Sequence, residues 1–160
     1  MVKPQSMAVL IGALLATLTV GAREVAAAQP RFSVVEAGIA DMQKAMKDGR
    51  VTSRELVLQY LTRIATYEDK LNAAMTVNPR ALQEAEALDR ERARGKLRGP
   101  LHGIPIALKD NIHTTDMPTT GGALAFDGLV PPYEATLVKN LRDAGAIIIA
   151  KTVMTDSPTG

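Results

Sequence analysis

Ala146-Ile147-Ile148-Ile149-Ala150 is an unbroken apolar run that follows directly on a helical segment closing at Gly145. A strand with no polar position has no face to offer water, so it must lie inside a sheet covered on both sides. The stretch from Leu101 to Leu108 reads as a second, irregular strand that ends abruptly in the polar triplet Lys109-Asp110-Asn111. Pro105 lies within it and cannot donate to a ladder, so the strand start is irregular or unpaired there. Between the two, a Thr/Gly/Pro-rich loop spans His113 to Pro132. The helix over Ala135 to Ala144 places Leu137, Val138 and Leu141 inward. Strand, loop, helix, strand predicts a right-handed crossover joining two parallel strands. The fold class is α/β, with N-terminal helices followed by the start of a mixed or parallel sheet.

Three helical segments precede that unit. Ser33 is placed to cap a helix whose apolar positions are Val34, Val35, Ile39, Met42 and Met46, ended by Asp48-Gly49. Thr52 and Glu55 have the spacing of a capping box, ahead of an apolar face of Leu56, Leu58, Tyr60, Leu61 and Ile64. Asn78-Pro79 opens a third helix with Ala81, Leu82, Ala85 and Leu88 inward. The charges from Glu84 to Arg94 read as its solvated face.

The N-terminus has a different texture. Lys3, an uncharged run from Ala8 to Val20 and Ala26-Ala27-Ala28 form the layout of a secretory signal peptide over residues 1–28. The apolar run is shorter than the roughly 20 residues a spanning helix needs. The expected product is an exported chain, periplasmic or extracellular, covering 29–160 without stable membrane insertion. Cys is absent, which removes disulfides, thiolate metal sites and cysteine nucleophiles. A net charge of +2 and 3% aromatic residues give no electrostatic footprint or stacking platform for nucleic acid.

Among ionisable residues, Lys109 has the most suggestive place. It stands where an apolar strand meets a loop, and ligand sites in α/β sheets lie at the carboxyl ends of strands. A lysine held among apolar neighbours loses proton affinity and becomes able to act as a base near neutral pH. Most strand-end lysines are simply solvated, so position alone leaves both readings open. Asp110, His113 and Asp116 do not have the spacing of a zinc or calcium motif, and no metal or cofactor is expected. His102 reads as a structural hydrogen bonder and Gly121-Gly122 as a turn. No serine occupies a nucleophile elbow.

The stretch Arg98-Gly-Pro-Leu-His-Gly-Ile-Pro-Ile-Ala-Leu-Lys109-Asp-Asn-Ile112 resembles the segment around the catalytic lysine of the amidase signature family. Leu71-Asn-Ala-Ala-Met-Thr-Val-Asn78, Thr119-Thr-Gly-Gly122 and Ala144-Gly-Ala-Ile-Ile-Ile-Ala-Lys-Thr152 fit the same family in order. The resemblance implies that Lys109 is a general base. In that family a neutral lysine relays a proton through a serine in a cis peptide from a second, nucleophilic serine. An acyl-enzyme forms as the amide nitrogen leaves, and water releases the acid. Ser157, in Asp-Ser-Pro-Thr-Gly, matches neither serine position, Val153 stands where Asn is usual, and Ala123 where Ser is common.

The expectation is therefore the N-terminal part of an enzyme that hydrolyses small or peptide-like carboxylic amides, inactive alone and poorly soluble because its sheet is cut open. Two other readings remain. One is an exported non-catalytic module that binds a partner through its sheet edge. The other is a half that complements a separately encoded C-terminal chain.

Overall fold

The computed structural model describes residues 31–154, and the expected signal peptide and Ser157 lie outside them. The elements are α1 (Ile39–Lys47), α2 (Ser53–Leu71), β1 (Ala74–Val77), α3 (Ala81–Ala93), β2 (Pro105–Lys109), a single 3-10 turn (Leu124–Phe126), α4 (Thr136–Asp143) and β3 (Ile147–Thr152). N-terminal helices followed by a small mixed sheet are what the residue pattern implies. No helix among the described residues is long and apolar enough to cross a membrane.

The sheet order is β1-β3-β2, with β2 parallel and β1 antiparallel to the central β3. The parallel crossover β2–α4–β3 is as expected. The additional strand β1 is a correction: only four residues long and half exposed on alternate positions, it lacks the apolar run that announces β3. Every residue of β3 from Ile147 to Lys151 is buried. Ile147 and Ile149 pack with Val57 of α2 and Ala81, Ala85 and Leu88 of α3. On the opposite face Ile148 packs with Leu108, Met117 and Val138 of α4. A third cluster joins Val34, Met42, Ala45, Met46, Leu56 and Ile104.

Local chemistry explains most boundaries. The capping box of α2 forms as expected, with Glu55 N–H donating to Thr52 Oγ1 at 3.1 Å and Thr52 N–H to Glu55 Oε2 at 2.8 Å. The first helix, however, starts at Ile39 rather than beside Ser33. Ser33 Oγ accepts from Val35 N–H, Glu36 adopts φ 57°, and Asp41 accepts from Gly38 N–H at 2.9 Å, so the chain turns before the helix begins. Val34 drops into the core and its N–H donates to the Gln59 side chain, while Val35 and Ile39 face outward. Leu58 and Leu137 also face outward, and Val57 takes the inward place on α2.

Asn78 sits two residues ahead of the helix cap position, which Arg80 occupies. Its Oδ1 accepts from Arg80 N–H at 2.8 Å while its Nδ2 donates to Ile148 O at 2.8 Å, so it clamps α3 to β3. The charged face of α3 is less solvated than expected. Both carboxylate oxygens of Asp89 accept from the first amides of α2, Ser53 N–H at 2.8 Å and Arg54 N–H at 3.0 Å. Those amides have no partner within their own helix. Arg92 meanwhile donates to His102 O at 2.9 Å.

Candidate active site

Lys109 is the last residue of β2, aligned with Thr152 at the end of β3, so it stands at the carboxyl end of two parallel strands. Side chains alternate along a strand. Ile106 and Leu108 point to the α4 side, which leaves Pro105, Ala107 and Lys109 on the α2 side. There Tyr60, Ile64, Tyr67 and Leu71 of α2 face Pro105, Ala107 and Thr152 across an open, mainly apolar groove. Lys109 itself is exposed. Of the two readings open for a strand-end lysine, enclosed among apolar neighbours or solvated, the described residues show the solvated one.

Directly beneath lies a buried ion pair. Lys151 and Asp110 are 0% and 1% exposed, with Nζ 3.4 Å from Asp110 Oδ1. The Lys151 ammonium also donates to Thr119 Oγ1 at 2.7 Å and Pro118 O at 3.1 Å. The other carboxylate oxygen of Asp110 accepts from Thr120 N–H at 2.9 Å and Thr120 Oγ1–H at 2.5 Å. Burial lowers the proton affinity of Lys151 below its ordinary value, and the negative Asp110 opposes that shift in part.

A break in strand register brings this pair together. Ile106 aligns with Ile148 but Ala107 with Ala150, so Ile149 is an extra residue in β3. A bulge of this kind re-aims the side chains that follow it. Strict alternation would put Lys151 on the α2 side with Ile147 and Ile149. The bulge sends it to the α4 side, against Asp110, and leaves Thr152 on the Lys109 side.

The remaining candidates separate. His102 is fully buried; Nδ1 accepts from Arg98 N–H at 3.2 Å, so Nε2 carries the hydrogen that reaches Leu88 O at 3.0 Å. It is the structural hydrogen bonder its sequence context suggests. Asp116 pairs with Arg142 at 2.6 Å and Arg80 at 3.3 Å, and His113 stacks at a tilt on Tyr133. Asp110, His113 and Asp116 thus have separate partners, and among the described residues no group of three His, Asp or Glu side chains is placed to hold a metal. Gly121 and Gly122 form a turn with φ 61° and 80°.

Lys151, Thr119 and Thr120 are the residues that spacing alone did not single out. The available signal was a lysine ending an apolar strand, a costly position unless the charge is paired.

Comparison with known proteins fits this geometry. The family model Amidase matches residues 55–160. A glutamyl-tRNA(Gln) amidotransferase subunit of Rhodopirellula baltica is 42% identical over 121 residues, covering 75% of this chain and 24% of that one. A putative amidase of Schizosaccharomyces pombe is 41% identical over 126 residues, covering 78% and 22%. The solved peptide amidase of Stenotrophomonas maltophilia superposes with a TM-score of 0.70 at 48% identity, over 73% of this chain and 24% of that chain. The chain spans about a quarter of the length of the relatives it matches. With a lysine-tipped parallel strand, a matching family model and relatives of this identity, the chain belongs to the amidase family.

Proposed function

We propose that this chain supplies the general base, Lys109, of a site that hydrolyses a carboxylic amide, and that a further amidase segment supplies both serines. The observation that carries the reading is the place of Lys109: the carboxyl end of paired parallel strands, on the face that holds the open groove. A serine-bearing segment seated over that groove would enclose the lysine and remove it from water, the condition under which a lysine gives up its proton readily. The neutral amine then accepts the serine relay's proton, and the nucleophilic serine oxygen attacks the carbonyl. The substrate class is an amide C–N bond, the chemistry common to relatives named as peptide amidase and as amidotransferase. The 160 residues alone turn over no amide, because no serine in them matches either role.

The test is a chimera in which residues 31–154 replace the aligned quarter of the Stenotrophomonas maltophilia peptide amidase. Lys109→Ala in that chimera lowers kcat by at least about 10³-fold, toward the upper part of the usual range for a positioned acid or base because the nucleophile is left unactivated. In the chain alone the same change shifts stability by less than about 0.5 kcal/mol, as for an exposed residue. Full turnover in the Lys109→Ala chimera overturns the assignment. So does amide hydrolysis by the unmodified 160-residue chain that survives the same substitution.

Export belongs to the same proposal. The layout of residues 1–28 supports cleavage after Ala28. Expression with the native N-terminus in a Gram-negative host gives a periplasmic or secreted product whose first residue is Gln29. A cytoplasmic product beginning at Met1 removes the signal-peptide reading.

A further inference from the structure

We propose that Asp110, Lys151 and Thr120 form a positioning cluster that fixes the peptide of Lys109, a role that rests on Lys109 being the base. Ion pairs this deeply buried are weak sources of net stability, since apolar replacements of both partners often serve as well. What this pair does instead is join three segments at one end of the sheet. Asp110 N–H donates to Thr152 O at 3.0 Å, holding the exit of β2 to the end of β3. Thr152 Oγ1 donates back to Leu108 O at 3.3 Å. The Asp110 side chain holds Thr120 through its amide and its hydroxyl, and Gly121 N–H donates to Asp110 O at 3.3 Å. From the other strand, Lys151 grips Pro118 O and Thr119 Oγ1 of the same turn. Ile112 N–H closes on Lys109 O itself at 3.0 Å.

Lys109 is therefore the single outward-facing residue between two anchored neighbours, buried Leu108 and buried Asp110. Its side chain leaves the strand on the face opposite the cluster, so the cluster acts on the backbone and touches no substrate. A proton relay depends on geometry at the scale of a hydrogen bond, and a loose strand tip would spread the amine over many positions.

Thr120 is the part of the cluster open to conservative change. Thr120→Val keeps shape but removes the hydroxyl donor to Asp110, and Thr120→Ser restores it. In the 160-residue chain, Thr120→Val raises hydrogen exchange at the Asp110, Ile112 and Gly121 amides by about tenfold, the factor set by losing one hydrogen bond to a charged acceptor. Thr120→Ser stays within about twofold of the parent, since the bond is retained. In the chimera, Thr120→Val lowers kcat about tenfold with KM nearly unchanged, and Thr120→Ser recovers it, the pattern of lost orientation rather than lost binding. Unchanged exchange at those amides overturns the proposal. Equal kcat for the Val and Ser variants in a chimera that Lys109→Ala silences overturns it too, and leaves the base assignment standing. A chimera indifferent to Lys109→Ala sinks the base assignment alone, because the exchange measurement still decides whether the cluster holds the strand tip.

Discussion

Lys151→Met is expected to lower the unfolding free energy by about 3–5 kcal/mol, the range for breaking one side of a buried ion pair. Methionine nearly matches the lysine stem in length, so little volume is lost. The loss falls on Asp110, whose carboxylate is 1% exposed and keeps only its Thr120 donors once the ammonium is gone. Thr119 Oγ1 and Pro118 O lose their donor at the same time. Asp110→Asn combined with Lys151→Met removes both charges and recovers most of the loss, because an amide oxygen still accepts from Thr120. Lys109→Met, on an exposed side chain one position from Asp110, changes stability by less than about 0.5 kcal/mol. Urea unfolding of the four proteins checks the series, and a Lys151→Met loss no larger than that of Lys109→Met refutes it. The pH dependence has a definite sign. The folded proton affinity of Lys151 lies below its ordinary value of 10.5, so between the two the unfolded chain binds more protons. Stability from this residue therefore rises with pH across that window, and the rise vanishes in Lys151→Met.

The parts of the fold visible in the residues are those where one physical rule dominates. The Ile triplet of β3 leaves a strand no option but burial on both faces, and Thr52 with Glu55 can satisfy a helix end within four consecutive residues. The parts hidden from the residues depend on partners distant in the chain. Asp89 caps a helix that starts 36 positions earlier, so its carboxylate reads as surface until α2 and α3 are side by side. The strand β1 is formed by its pairing with β3 rather than by its own composition.

The candidate site divides in the same way. Lys109 stands out because an apolar strand, a polar tip and a specific local motif coincide on it. The Asp110–Lys151 pair does not, since strict alternation along β3 would send Lys151 to the wrong face. Only the extra residue Ile149, which appears as a register shift against β2, brings the two together. A continuous apolar run carries no mark of where such a bulge falls.

A second large effect follows from the turn that sets β2 in place. Gly145→Ala is expected to cost about 3 kcal/mol or more, the sum of a left-handed backbone for a residue with a side chain and an overpacked contact. Gly145 has φ +89°, and an added Cβ would lie 2.6 Å from His102 Cα and 3.2 Å from His102 N. These are backbone atoms of a residue whose ring is held at both nitrogens, so His102 cannot swing aside. The two turns are also bonded to each other: Gly103 N–H donates to Gly145 O at 2.8 Å and Leu101 N–H to Ala144 O at 3.2 Å. Gly121→Ala separates the causes, since its φ is +61° but nothing lies within 4 Å of the added carbon. That variant should lose only about 1–2 kcal/mol, the conformational part alone. Equal losses in the two variants would mean that backbone strain decides the outcome and the close approach to His102 contributes nothing. A larger loss in Gly145→Ala places the constraint at the contact that delivers β2, and with it Lys109, to its position beside β3.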